Sequence, residues 1–545
     1  MNINHVLEEI LKNRGIKGEE EIAEYLSPKP KKTYDPFLLF NMKESVDLIL
    51  NTINEGGKIC IYGDYDADGV TSITILRTVL ESISDNITYF VPNRFEDGYG
   101  LNKDAIGRIK SQGSDLIITV DCGITSIKEV EYAKEIGLDI IVTDHHSVPE
   151  EKPDCLIINP KQKECEYPCK NLAGCGVAFK IAQAIIKKEN LSRSLLNRIL
   201  DIVAIGTIAD IVPLTGENRT IVKYGLNQVN NTRNEGVIAL KNVALRNPNN
   251  VSSENISFNL APHINSAGRL ESASISVDLL NEKDPVKAKK LAYYLENLNK
   301  QRKDLQKETY EIAKMEYDKF YQEKSFPMIV LDEAHEGIAG IVAGKLKDYC
   351  YKPVAILTDD GKGNYKATCR STDKIDIYII LKEFNQLYIK FGGHKAACGF
   401  TIPKENFETL VSNVDEFMHR FADEDFQAEI NYDLEISGED VTLELVEELD
   451  KIEPYGCCNE KPVFLLSNCK VNNIYYMGDN NIHMKFTVSA DGCKNLNCIL
   501  FNYSEEEKCI VENNQYVDVY GSFNINEWNG NKTVQMFISN VKAKI

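Results

Sequence analysis

The stretch CIYGDYDADGVTS, Cys60 to Ser72, decides how this chain is read. A short apolar run, KICIY (58–62), leads directly into Asp64, Asp66 and Asp68 at alternate positions, followed by Gly69. Carboxylates this close repel one another unless a cation lies between them. The spacing matches the first half of an EF-hand calcium loop, but that loop needs a bidentate Glu at its twelfth position and a helix before it. Here the twelfth residue is Ile75 and the preceding run is strand-like. The EF-hand is set aside on both counts, which leaves a solvated acidic turn or a different metal site.

The surrounding sequence favours the metal site. After KICIY come NITYFVP (86–92), DLIITV (115–120), LDIIVT (138–143) and DCLIIN (154–159), separated by helix-like segments. Short Ile- and Val-rich runs alternating with helices predict β-α-β units and a parallel sheet. Ligands bind such sheets beyond the carboxyl ends of the strands. Polar residues fall at those places: the three aspartates after the first run, Asn93 and Arg94 after the second, Asp121 after the third, and Asp144, His145 and His146 after the fourth. Asp210 stands in the otherwise apolar GTIADIVPL. Oxygen and imidazole donors suit Mn²⁺ or Mg²⁺ better than Zn²⁺, which recruits thiolates. Six or seven candidates exceed the needs of one ion, whereas two ions roughly 3.5–4 Å apart would use them all.

The bulk numbers are consistent with a large enzyme. The 545 residues exceed one hydrophobic core, so three or four domains are expected. The net charge of −20 argues against a general polyanion binder but allows a local basic groove with bound cations. The opening MNINHVLEEILKNRG is acidic where a signal peptide would be basic, and no long apolar run occurs, so a cytoplasmic protein without membrane spans is expected. The 15 cysteines form no C-x-x-C pair and read as reduced, mostly buried thiols.

Downstream, Leu291, Leu295, Leu298, Leu305 and Ile312 recur at helical spacing and predict a long helix from about 286 to 320 that joins two domains. A second α/β module begins at FPMIVLDE (326–333) and includes YKATCRST (365–372) and FGGHKAACGF (391–400). Beyond residue 428 the texture becomes short alternating strands, as in a small β-barrel.

In combination, GDYDADG, DCG, DHH and ADIVPL resemble the ordered motifs of the DHH phosphoesterase superfamily. With RFEDGYGLN (94–102), APHINSAGRL (261–270), the GGH of FGGHKAACGF and EPYGCCNEKPVF (453–464), nearly the whole chain resembles that superfamily's RecJ family of exonucleases. The resemblance implies an α/β fold in four parts: an N-terminal segment with a parallel-sheet DHH domain (1–285), a connecting long helix (286–325), a smaller α/β DHHA1 domain (326–425) and an OB-like β-barrel (426–545). It implies single-stranded-DNA-specific 5′-to-3′ exonuclease activity in DNA repair and recombination, with release of 5′-mononucleotides. Asp64, Asp66, Asp68, Asp121, His145 and Asp210 would hold two Mn²⁺ or Mg²⁺ ions, Asp121 as the bridge. Asp144 and His146 would stand at or behind the ligands, and His146 is counted with the catalytic set. No side-chain nucleophile is expected, because activated water attacks, and activity should fall in acid as the ligands take up protons.

Arg94, Asn265, Arg269, Thr368, Arg370, Ser371 and His394 are the candidate substrate contacts, the region of Arg370 for a 5′-terminal phosphate. Tyr475, Tyr476, Phe486 and Trp528 are candidate stacking platforms for single-stranded bases. A helicase and a single-strand-binding protein are candidate partners. The chain departs from the superfamily pattern at Tyr62, where many members carry His, at His263, where Arg is common, at ATCRST and at Cys398. The alternative function is a DHH-type phosphodiesterase for short oligonucleotides or cyclic dinucleotides, which the C-terminal barrel disfavours. An inactive binding protein is disfavoured by the intact ligand set.

Overall fold

The computed structural model describes residues 4–95, 97–98 and 100–544. Glu96 and Tyr99 of the RFEDGYGLN motif fall outside them. All five apolar runs form strands: β1 (Ile59–Gly63), β2 (Ile87–Phe90), β3 (Leu116–Val120), β4 (Asp139–Thr143) and β5 (Leu156–Ile158). They make one parallel sheet in the order β2-β1-β3-β4-β5. β1 and β3 are buried along their whole length, which is why they read as continuous apolar runs. In this order the connections diverge between β1 and β3, which opens a crevice at their carboxyl ends. The register pairs Gly63 with Val120, so the next residues, Asp64 and Asp121, emerge side by side.

The connecting helix, Pro285–Glu316, starts on Asp284, whose carboxylate accepts from the Val286 and Lys287 amides. Its 32 residues span roughly 48 Å. Ala288, Ala292, Leu295 and Leu298 lie in the core of the first domain, and Ala313 in that of the second. Ile312, expected on the apolar face, is exposed, because Thr309 and Ala313 occupy the buried side there.

The second domain is a mixed sheet: β6 (Met328–Val330), β7 (Val354–Asp359), β8 (Asn364–Arg370), β9 (Lys390–His394) and β10 (Ala397–Pro403), ordered β6-β7-β8-β10-β9. The C-terminal sheet comprises β11 (Leu434–Glu435), β12 (Phe464–Met477), β13 (His483–Ala490), β14 (Cys493–Phe501), β15 (Tyr516–Trp528) and β16 (Asn531–Ala543). Its pairings run β12-β13-β14-β16-β15, with β15 also bonded to β12. Phe486 faces this sheet's core and is fully buried, which removes it from the stacking candidates, while Tyr475 and Trp528 are exposed and Tyr476 is partly so.

The first 26 residues differ from expectation. Sequence order groups them with the catalytic domain, but Val6, Leu7, Ile10, Leu11, Ile22 and Leu26 pack into the core of the C-terminal domain. Two short amphipathic helices need an apolar surface to cover, and chain order says nothing about which domain supplies it. Arg219 joins this unit to the DHH domain: its guanidinium stacks 4.1 Å over Tyr25 and donates to the Tyr25 and Lys451 carbonyls. Among the described residues no helix is long and apolar enough to cross a membrane.

Candidate active site

The acidic loop is a strand-to-helix turn. Asp66 caps the helix Ala67–Leu80, its carboxylate accepting from the Asp68 and Gly69 amides. Gly69 is required here: a Cβ would stand 2.4 Å from the Asp64 carbonyl oxygen. Asn265 takes the Ala67 amide at 2.8 Å, so the APHINSAGRL segment braces the loop from the other side. Asp68 is fixed by both carboxylate oxygens, which accept from the Gly174 and Cys175 amides at 2.6 and 2.8 Å. Those amides open the helix Gly174–Lys188, whose positive end favours an anion.

Asp121 follows β3 with φ of 61°, a left-handed conformation that Asp tolerates better than most residues. His145 Nε2 lies 3.2 Å from Asp121 Oδ1, 3.5 Å from Asp210 Oδ2 and 3.9 Å from Asp68 Oδ2. None of these approaches has hydrogen-bond geometry: Asp121 Oδ1, Asp210 Oδ2 and His145 Nε2 are buried with no hydrogen-bond partner. Among the described residues three donor groups emerge, each with its ligand atoms within 4.8 Å, and two of them, Asp64–Asp66–Asp121 and Asp68–His145–Asp210, share no residue. Asp121 stands at both, through the first group and through His145. A ring nitrogen of His146 comes equally close to Asp121 and His145.

Asp144 is an anchor. One oxygen accepts from the Ile124 amide, and the other from the His145 and His146 amides and from His146 Nδ1. Its burial works against ionisation, but bonding to His146 outweighs that and holds the carboxyl below its ordinary range. Four of the other carboxyls are pushed up, first by burial and then by neighbouring carboxylates: Asp64 to about 8, Asp68 to about 7, Asp210 to about 9 and Asp121 well above normal. Burial pulls the His145 imidazole down to about 3. Unpartnered carboxylate oxygens of Asp121 and Asp210 beside a neutral imidazole, within a cluster of further carboxylates, fit divalent cations.

A basic region adjoins this centre. The Arg94 guanidinium stacks 4.3 Å over Tyr65, the residue between Asp64 and Asp66, and its Nε is buried without a partner. Arg269 donates to the Gly337 carbonyl and Arg370 to that of Cys369. Arg302 of the connecting helix donates to the side-chain carbonyls of Asn299 and Gln306. Burial first, and then the charges of Arg94, Arg302 and Arg370, lower the Arg269 pKa to about 10. Arg269, Arg302 and Arg370 donate to neutral acceptors, and Arg94 stacks on an aromatic ring, so these contacts leave the positive charge of all four uncompensated. Thr368 lies with Arg370 against Gly340. His394 is exposed and lies within electrostatic reach of both Arg370 and His146. Ser371 is a correction: its hydroxyl is buried and donates to the Ile375 carbonyl at 2.8 Å, closing its own turn rather than facing the cleft. Tyr62 is buried too, with its hydroxyl on the Gly100 carbonyl.

Sequence reasoning missed three features: Arg302, the Gly174–Cys175 amides, and Lys161, whose charge acts on Asp210 and Asp144. Lys161 was findable, since it follows the fifth apolar run just as the acidic residues follow the others. Arg302 carried no signal within its polar helix.

Family models match in the same order as the motifs: the DHH family N-terminal domain over 58–207, the DHHA1 domain over 324–420 and the RecJ OB domain over 432–540. Fold and site together define a phosphoesterase of the DHH class with a divalent-metal centre. The chain is 38% identical to the single-stranded-DNA-specific exonuclease RecJ of Bacillus subtilis over 99% of its own length and 68% of that protein. It is 31% identical to the Escherichia coli RecJ over 98% and 95% of the two chains. The crystal structure of RecJ from Thermus thermophilus in complex with Mn²⁺ superposes with a TM-score of 0.83 at 26% identity, covering 100% of this chain and 79% of that one. The corresponding Mg²⁺ complex gives 0.79 at 25% identity, covering 100% and 78%. The chain belongs to the RecJ family.

Proposed function

We infer that the protein is a metal-dependent exonuclease that degrades single-stranded DNA from the 5′ end and releases 5′-mononucleotides, in the service of DNA repair and recombination. The observation that carries the reading is the adjacency of two charge fields that do not neutralise each other: buried carboxylates around His145, and the cluster of Arg94, Arg269, Arg302 and Arg370. A phosphate chain with cations on one side and guanidiniums on the other satisfies both.

Asp64, Asp66 and Asp121 would hold one ion, and Asp68, Asp121, His145 and Asp210 a second, with Mn²⁺ the expected metal and Mg²⁺ the alternative. Bound there, divalent cations activate water and steady negative charge on phosphorus. The chain's own groups do the rest. The Gly174 and Cys175 amides orient Asp68, Asp144 fixes the His145–His146 turn, and Asn265 fixes the Asp66 cap. Arg370, Arg269 and Arg94 bind phosphate and place the strand end. The protein supplies no thiolate nucleophile here, because burial pushes the thiols of Cys122 and Cys175 well up. A helicase and a single-strand-binding protein are the partners that would supply and hold open such a substrate, and a helicase should raise the rate on blunt duplex.

The test uses 5′- and 3′-labelled single strands, a blunt duplex and a cyclic dinucleotide, each with and without Mn²⁺. The expected result is Mn²⁺-dependent loss of the 5′ label as mononucleotide, with slow attack on duplex. Degradation from the 3′ end, or a preference for the dinucleotide, overturns the reading.

A further inference from the structure

One aromatic at the domain junction has no role in the site described above. Phe95 follows Arg94 and keeps 37% of its surface exposed. Its backbone is tied to its neighbours: its amide donates to Asn93 Oδ1, the Asn93 amide donates to Asp97, and Asp97 pairs with Arg108 at 2.6 Å. Its ring meets the His335 imidazole of the opposite domain edge-to-face, with centroids 5.3 Å apart at 85°. His335 caps the helix Glu336–Cys350, its Nδ1 accepting from the Gly337 amide, while the Gly337 carbonyl accepts from Arg269.

The pair is thus tied to both halves of the site. Arg94 lies against Tyr65 of the acidic loop on one side, and His335 is coupled through Gly337 to Arg269 on the other. An edge-to-face contact covers at most one face of a ring, and an exposed aromatic held beside a cluster of arginines has the other face to offer to a base.

We propose that Phe95, backed by His335, stacks on the nucleobase of the strand's terminal nucleotide and so positions that end between the acidic centre and the arginine cluster. The proposal rests on the exonuclease reading. Every base has a π-face, so the contact tolerates sequence and rejects a base still paired in a duplex.

The test has two parts. A strand with 2-aminopurine at its 5′ end and phosphorothioates at its terminal linkages is titrated with protein in Mn²⁺; a 3′-labelled strand is the control. Wild type and Phe95→Trp should quench the 5′ probe, and Phe95→Ala should not. Kinetics then compare an intact with an abasic 5′ terminal nucleotide. Phe95→Ala should raise KM about 5- to 150-fold on the intact strand, the equivalent of ~1–3 kcal/mol for a base–aromatic stack. On the abasic strand it should match wild type within about twofold on the same reasoning. Equal quenching by Phe95→Ala, or the same loss on both strands, overturns the proposal. Quenching that depends on Phe95 without any hydrolysis would sink the exonuclease reading and leave the stacking intact. Phe95-dependent quenching confined to the 3′ probe would sink only the polarity.

Discussion

The most exacting test of the metal-centre geometry is the addition of a single methyl group. Gly174 begins its helix directly beneath Asp121, and a Cβ placed there would lie 2.7 Å from Asp121 Cβ, 2.8 Å from its Oδ1 and 2.9 Å from its Cγ. Heavy atoms in packed interiors sit about 3.5–4.0 Å apart, so Gly174→Ala must displace something by roughly 0.8 Å. The helix is anchored in the main core, so Asp121 is the group that yields. Overpacking of this kind costs about 1–3 kcal/mol, and a misplacement near 1 Å costs ~10²-fold in rate. The substitution leaves the Gly174 amide in place, so Asp68 keeps its hydrogen bond. Exonuclease turnover, Mn²⁺ binding by calorimetry and thermal unfolding are measured together, with Gly176→Ala in the same helix as control. There the nearest atom is Leu172 Cβ at 3.3 Å, a side chain that can shift. Turnover should fall about 10²-fold with a modest loss of stability. Retention of a third or more of wild-type turnover, with Mn²⁺ affinity unchanged, would falsify the placement of Asp121 at the heart of the centre.

Asp121→Asn preserves a side chain that tolerates left-handed backbone while removing the charge; turnover should drop by more than ~10²-fold with near-native circular dichroism, since even residues behind a metal ligand cost about 10–100-fold. Stability should respond to pH in opposite ways with and without metal. Because folding raises Asp64, Asp68 and Asp210 from about 4 to about 8, 7 and 9, the metal-free fold holds protons that the unfolded chain has released, so in EDTA the melting temperature should fall with rising pH, a loss that begins above about pH 4 and is complete by about pH 9. Mn²⁺ displaces those protons, so its stabilising shift should grow over the same interval; a metal-free protein that gains stability there contradicts the assignment. Arg219→Ala removes a buried guanidinium joining the DHH domain to the N-terminal and C-terminal segments. It should cost about 1–3 kcal/mol and speed proteolysis between the domains, and unchanged cleavage kinetics would count against that role.

The sequence by itself determined the elements and the chemistry. Strands 59–63, 116–120 and 139–143 were legible because buried parallel strands must be apolar throughout, and their ends were legible because that is where polar residues resume. The donor types at those ends, carboxylate and imidazole, pointed to hard divalent cations. Only the tertiary structure decided which donors meet. The Gly63–Val120 register sets Asp121 beside Asp64, and a helix more than a hundred residues downstream supplies the amides that fix Asp68. It also turned Ser371 and Phe486 inward, gave the first two helices to the C-terminal domain and brought Arg302 to the other arginines. Local sequence encodes the period and burial of an element. Contacts between residues far apart depend on how the elements pack, which no single stretch records.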